Sequence, residues 1–235
     1  MLGSPTQRSY VLLGAALALP IVVLVVLQIL LALNGERDAI ERRTISQAVQ
    51  ISSLSDLQIR ADLAVMRVLV TSADFDRRDW AQSFARAREI ADLNRHWRNI
   101  IVTDLRTNQQ VFSLSRPYSA DRTPIDPSIA ARNPRSQIGD VAREGMACPC
   151  VYLHQPIGMD GRYLLTVAID PRVYMASLRQ NTPPGAVSAL TDRRGYFIAR
   201  SLNQADRVGT PATQYVRDAI SSGERWGIYE IGRAH

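Results

Sequence analysis

The chain contains no lysine, because all 28 of its basic residues are arginine. A P-loop needs a lysine, and no Gly-x-Gly-x-x-Gly, His-Glu-x-x-His or Gly-x-Ser-x-Gly motif occurs. Histidine is also scarce, with three residues in the whole chain. The sequence therefore predicts a chain that is not an enzyme, and it indicates no cofactor.

Cysteine is limited to Cys148 and Cys150, which a single proline separates. A bridge between residues so close in sequence would be strained, so the pair does not identify an oxidising compartment. Met146 and His154 place two further soft ligands nearby. Because a closed metal site needs more ligands at better defined spacing, we expect no bound metal.

The composition is that of a folded protein. The 235 residues are 46% hydrophobic and 21% charged, which allows one large domain or two small ones. The net charge is +6, but no more than two arginines are consecutive, and aspartate and glutamate are interspersed with them. Nucleic-acid binding needs clustered basic residues, so the sequence predicts no nucleic-acid partner.

One apolar run stands apart from the rest of the chain. Residues 11–33 contain one polar side chain, Gln28, and no charge. As a helix they extend roughly 35 Å, which exceeds a hydrocarbon core of about 30 Å. A cleaved signal peptide has a shorter apolar run of about 7–15 residues. We therefore expect a cytoplasmic segment at 1–9 and a transmembrane helix at 10–33. The basic residues on either side of the run do not settle its orientation, because long domains are translocated largely regardless of charge.

A long helix is predicted to follow the apolar run. Ile59, Leu63, Met66 and Val70 form an amphipathic stripe, with Arg60, Asp62 and Arg67 on other faces. Ile45 and Val49 extend the stripe toward the N-terminus. Residues 37–70 are therefore predicted to form a stalk that packs on its own domain and on a partner chain. With a second helix at 80–97, the stalk and its flanking helices cover 34–96, and we expect a homodimer through the stalk helix.

Strands replace helices after Trp97. Two β-rich pairs, 99–103 with 110–114 and 150–157 with 163–169, flank an irregular stretch at 116–134. Asp170-Pro171 then begins a helix, with Asp170 as its N-cap. The strand–turn–strand pattern of 101–114 returns at 188–199, with an offset of 88 residues at Asp104 and Asp192. The recurrence predicts a second copy of one module, followed by a helix at 211–221 and a strand at 226–230.

The predicted order is a membrane span, a long helix, apolar-Thr-Asp strands, the 163–169 strand and then a second strand–turn–strand pattern. This order resembles the extracytoplasmic double Cache sensor regions of bacterial receptors, most closely those of alphaproteobacterial sensor histidine kinases. The resemblance implies an α+β fold with a distal PAS-like module at 97–182 and a truncated membrane-proximal module at 183–230. It also implies a location in the bacterial inner membrane, with the chain after residue 33 in the periplasm.

The function that the resemblance implies is sensing of a small-molecule ligand by a membrane-bound receptor. The catalytic part of a histidine kinase would then lie outside this sequence. The alternative is a membrane-anchored structural or interaction module without a ligand. Residues 231–235 are predicted to be a non-native tail, because the end of the chain reads like a translated sequencing adapter, and the proximal module is predicted to be incomplete.

Three residues are candidates for ligand binding. Tyr152 and His154 share one face of the strand at 150–157, and Asp170 follows the last strand of the distal module. In Cache domains that bind amines or amino acids, an acid at this last position holds the ligand's ammonium group. The Arg-x-Trp-Tyr element that grips the carboxylate in those relatives is not found upstream, so the ligand class stays open. Helix capping is the alternative role for Asp170.

Overall fold

The computed structural model describes residues 5–125, 138–141 and 149–223. The chain divides into two units, Met1–Ala48 and Val49–His235. Helix α1, Pro5–Val70, contributes residues to both. Large apolar side chains between Leu19 and Leu31 are exposed. Among the described helices, α1 alone is long and apolar enough for a membrane span, a test that signal sequences also pass.

The second unit is α+β. Short helices α2 and α3 precede the first strand, a 3-10 helix and α4 follow the sixth, and α5 and α6 accompany a separate strand pair. Their bounds are α2 Ala73–Asp76, α3 Trp80–Leu93, β1 Trp97–Asp104, β2 Gln109–Ser113, β3 Thr123–Pro124, β4 Ile138–Val141, β5 Val151–Ile157, β6 Tyr163–Ile169, the 3-10 helix Pro171–Tyr174, α4 Met175–Asn181, β7 Ala189–Thr191, β8 Phe197–Arg200, α5 Gln204–Arg207 and α6 Gln214–Ser221.

The first six strands form one antiparallel sheet in the order β3-β2-β1-β6-β5-β4. The central strand β6 is buried at every residue, as expected for a run in which Thr166 is the one polar residue among apolar and aromatic ones. Val102 of β1 pairs with Leu165, and Leu153 of β5 pairs with Val167. Strands β1 and β6, the first and last of this sheet in sequence, are therefore neighbours at its centre.

One face of this sheet packs on the helices. The core cluster joins Met66 and Leu69 of α1, Phe75 of α2 and Phe84 of α3 to alternate residues of β1, β5 and β6. The predicted stripe of α1 belongs to this core, where Leu63, Met66 and Val70 are buried and Ile59 packs against it. The stripe therefore packs on its own domain.

Two expectations for α1 were wrong. Val49 does not continue the buried stripe, because it is 60% exposed while Ile51 is buried. Asp62 does not lie on a different face from the packed stripe, because only 2% of it is exposed. Asp62 precedes Met66 by four residues, and this spacing places it on the core side of the helix.

Strands β7 and β8 form a separate two-stranded sheet. The repeat predicted from sequence has a structural counterpart in its turns: Asp104 accepts a hydrogen bond from the Arg106 amide, and Asp192 accepts one from the Arg194 amide. Each aspartate thus stabilises the turn after its strand in the same way. Ala199 of β8 belongs to the main core cluster.

Other element predictions differ mainly at their ends, except that strand β3 lies inside the stretch 116–134 that was predicted to be irregular. The helix predicted at 80–97 ends at Leu93, and Trp97 instead begins β1. The helix predicted at 211–221 begins at Gln214. Strand 163–169 has the predicted bounds. The predicted strand 226–230 and tail 231–235 lie outside the described residues.

Candidate functional site

Tyr152 and His154 lie on the sheet face opposite the helices. Tyr152 pairs with Ala168, and His154 pairs with Thr166. Their neighbours in β5, Val151 and Leu153, belong to the helix-packed core, so the predicted alternation is present. Tyr152 and His154 are 6% and 3% exposed. This second face is therefore buried here as well.

The imidazole of His154 is closely surrounded. Its Nδ1 lies 3.0 Å from the hydroxyl oxygen of Thr166. A Cβ placed on Gly139 of β4 would lie 2.9 Å from Nε2 of the same ring and 3.0 Å from the carbonyl oxygen of Tyr152. A side chain at residue 139 would therefore clash, and the absence of one lets β4 approach the ring. Tyr152 and His154 are brought together as predicted.

Asp170 lies elsewhere, at the end of β6, among two guanidinium groups. Its Oδ2 accepts hydrogen bonds from Arg98 Nε at 2.9 Å and from Arg172 Nη2 at 2.8 Å. Its Oδ1 accepts the Arg172 amide at 2.9 Å, and this bond caps the 3-10 helix. The capping role is thus present, while binding of a ligand ammonium by Asp170 stays a prediction.

The surroundings of Asp170 favour its ionised form. Burial raises the pKa of this carboxyl, but the hydrogen bonds and charges of Arg172 and Arg98 outweigh burial and lower the pKa to about 2. The carboxylate therefore stays charged at neutral pH. It holds both guanidinium groups by their Nε edges, which fixes their orientation.

An open groove of about 740 Å³ lies over Asp170, and we call it the Asp170 groove. Arg98, Arg172 and Arg179 line it together with Asp170 and Asp206. The side chains of Arg179 and Asp206 make no hydrogen bond or ion pair within the part of the chain that the structure describes. Neither Tyr152 nor His154 lines this groove. The three predicted residues therefore lie at two separate sites, with Asp170 in the groove and the other two on the sheet face.

Sequence reasoning missed a buried acid on α1. Oδ1 of Asp62 accepts a hydrogen bond from Nε1 of Trp97 at 2.8 Å and lies 2.7 Å from Nε2 of His96. Gln58 Nε2 donates to the other carboxylate oxygen at 3.2 Å. Burial and the negative charge of Asp62 raise the pKa of Tyr174. The available signal was the position of Asp62 on the Met66 face of the helix.

This Asp62 cluster, formed by Asp62, His96 and Trp97, is adjacent to the groove through the backbone. The amide of Asp170 donates to the carbonyl oxygen of His96 at 2.8 Å. Arg98, which binds the Asp170 side chain, follows His96 by two residues and lies at the start of β1. A short chain of contacts therefore connects α1 with the groove.

The cysteine pair differs from expectation. Cys150 is disulfide-bonded, although the spacing argued against a bridge. The only other cysteine in the sequence, Cys148, lies outside the described residues, as does Met146. Within the described ranges no group of three or more histidine, cysteine, aspartate or glutamate side chains is arranged to hold a metal ion.

Comparison with protein-family models, curated proteins and solved structures gives no match for this chain.

Proposed function

We propose that the chain is the extracytoplasmic ligand-sensing region of a membrane-bound receptor, of the sensor histidine kinase type. The observation that carries this proposal is that one helix, α1, contains both an exposed apolar stretch and the residues that pack against the sheet. A receptor needs such an element, because a change at the sheet must alter a segment that enters the membrane.

A Cache-type module with a PAS-like sheet is the second part of the proposal. The six-stranded antiparallel sheet, the long helix against one face, and the strand–turn–strand element that recurs at β7–β8 all support it. The equivalent aspartates Asp104 and Asp192 support a repeat of one module. The distal module is then 97–182, and 183–230 belongs to the proximal one.

The route from ligand to membrane in this proposal runs through the Asp62 cluster. A ligand that moves Arg98 or Asp170 displaces the start of β1, because the Asp170 amide donates a hydrogen bond to the carbonyl oxygen of His96. His96 and Trp97 contact Asp62, which is part of α1. The displacement thereby reaches α1 through the polar contacts of Asp62 with His96 and Trp97.

Homodimer formation through α1 is also part of the proposal. Leu54, Leu57 and Val68 are 38%, 64% and 70% exposed, on the side of α1 away from the core. With Ala61 and Ala64 between them they are spaced three and four residues apart, as in a coiled-coil seam. A second copy of the chain is the partner that such a seam fits.

We expect the domain after residue 33 to face the periplasm. The disulfide at Cys150 supports this location, because disulfides persist in oxidising compartments. Alkaline phosphatase, which becomes active only where its own disulfides form, is fused to the C-terminus of the chain in bacterial cells. The expected result is an active fusion at the C-terminus and an inactive one at the N-terminus. The reverse pattern would place the domain in the cytoplasm.

Ligand sensing itself is tested by thermal unfolding of the full chain in detergent micelles with a panel of small metabolites. A ligand at one hundred times its Kd stabilises the folded state by about 3 kcal/mol, which raises Tm by about 5–10 °C for a domain of this size. A panel without any specific shift would favour the structural module instead.

A further inference from the structure

The charges that line the Asp170 groove sum to one positive charge. Three arginines, Arg98, Arg172 and Arg179, oppose two aspartates. Arg98 and Arg172 each donate to Asp170 through Nε and Nη2. The other N–H groups of each guanidinium are therefore left as donors. The groove therefore offers donors for an anion even though Asp170 is ionised.

The remaining wall of the groove is mostly apolar. Pro149, Pro171, Met175 and Val208 contribute to it, from the segment before β5, from the helices after β6 and from the end of α5. At about 740 Å³ the groove lies within the range of small-molecule sites, which combine apolar walls with a few placed polar groups. An inorganic ion would leave most of this apolar surface without contacts.

We infer that the Asp170 groove binds an organic carboxylate whose body is apolar. Arg179 and the outer edges of Arg98 and Arg172 hold the carboxylate, and the proline and methionine side chains cover the body. Asp170 positions the two arginines. This inference rests on the proposed sensing function, for which it names the class of ligand.

The inference is tested with phenylacetate, phenylacetamide, phenethylamine and inorganic phosphate on the purified full chain in detergent micelles. Isothermal titration and thermal unfolding report binding directly. We expect phenylacetate to bind at least about tenfold more tightly than its uncharged amide, since charge-assisted hydrogen bonds are roughly twice as strong as neutral ones. Phosphate lacks the apolar body and is expected to bind weakly.

Variants locate the site. Arg179→Ala removes a groove cation that has no partner in the described part of the chain. We expect it to weaken phenylacetate binding about five- to tenfold without lowering the Tm of the free protein. Arg207→Ala is the matched control, because Arg207 is exposed, lies in the neighbouring helix α5 and does not line the groove. Asp206→Asn removes a negative charge from the lining and is expected to tighten binding severalfold.

Several outcomes would overturn the inference. Equal losses in Arg179→Ala and Arg207→Ala would indicate attraction by the net charge alone. Binding of phenethylamine but not of phenylacetate would favour Asp170 as a site for an ammonium group. Phosphate binding as tight as phenylacetate would remove the role of the apolar wall. If all four probes fail while a metabolite without a carboxylate raises Tm, the inference is wrong and the sensing function stands.

Discussion

Asp62→Ala is expected to lower the free energy of unfolding by about 2–4 kcal/mol. The carboxylate is 2% exposed and accepts the Trp97 indole N–H at 2.8 Å. Its removal leaves that buried donor without an acceptor and also removes the contacts to His96 and Gln58. The corresponding decrease in Tm is about 5–12 °C, measured by tryptophan fluorescence of the full chain in detergent micelles.

Asp56→Ala is the matched control for this change. Asp56 precedes Asp62 on the same helix by six residues and forms an exposed pair with Arg60. Such surface pairs contribute less than about 1 kcal/mol, so its Tm should change little. A decrease in Tm that is the same for both variants would show that Asp62 acts only through helix propensity and that its contacts with β1 do not stabilise the fold.

The Asp62 result also bears on signalling. Asp62→Asn retains an acceptor for Trp97 but removes the negative charge beside His96, so we expect a smaller loss of stability than with alanine. In the proposed receptor the substitution weakens the connection between the Asp170 groove and α1. We then expect ligand binding in the Asp170 groove to persist while the signalling response of the receptor to that ligand falls.

The elements with strong local signals could be predicted from the sequence. Strand β6 is an apolar run ended by Asp170-Pro171, and both the strand and the cap are as predicted. The turns at Asp104 and Asp192 were predictable because aspartate bonds the backbone two residues further on. Each of these signals depends on residues that are close together in the chain.

The contacts that build the candidate site could not be predicted in this way. Arg98 and Asp170 are 72 residues apart, and Asp62 and Trp97 are 35 apart. Their meeting depends on the pairing of β1 with β6 and on the side of α1 that packs on the sheet. A charged residue among helical apolar positions usually indicates a solvent face, and at Asp62 the partners on β1 reverse this expectation.

A second buried acid, Asp104, holds together the end of the sheet opposite the Asp170 groove. Its side chain is fully buried at the end of β1. Arg122 Nη1 and Arg162 Nη2 each donate to it at 2.8 Å, and the Arg106 amide donates at 3.0 Å. These bonds join the turn after β1, the segment around Arg122 and the turn between β5 and β6.

The pKa of Asp104 makes this contribution pH-dependent. Burial raises the pKa of the carboxyl, but the hydrogen bonds from Arg162, Arg122 and the Arg106 amide outweigh burial and lower it from 3.8 to about 2. Because the folded pKa lies below the unfolded value, the stabilisation is fully present above about pH 4 to 5 and is lost as the pH falls toward 2.

Asp104→Asn is therefore expected to lower the free energy of unfolding by about 2–3 kcal/mol at pH 7, because it removes the charge that two partly buried arginines face. The loss relative to the unmodified chain should shrink as the pH falls from 5 to 2, since there the native carboxylate is itself becoming protonated. Thermal unfolding of the full chain in micelles at pH 7, 5 and 3 measures this pH dependence.

Asp121→Asn is the control, because Asp121 is exposed beside Arg122 and its carboxylate has no partner in the described residues. A difference between Asp104→Asn and the unmodified chain that stays constant from pH 7 to 3 would mean that the charge of Asp104 does not stabilise the fold and that only the shape of its side chain matters.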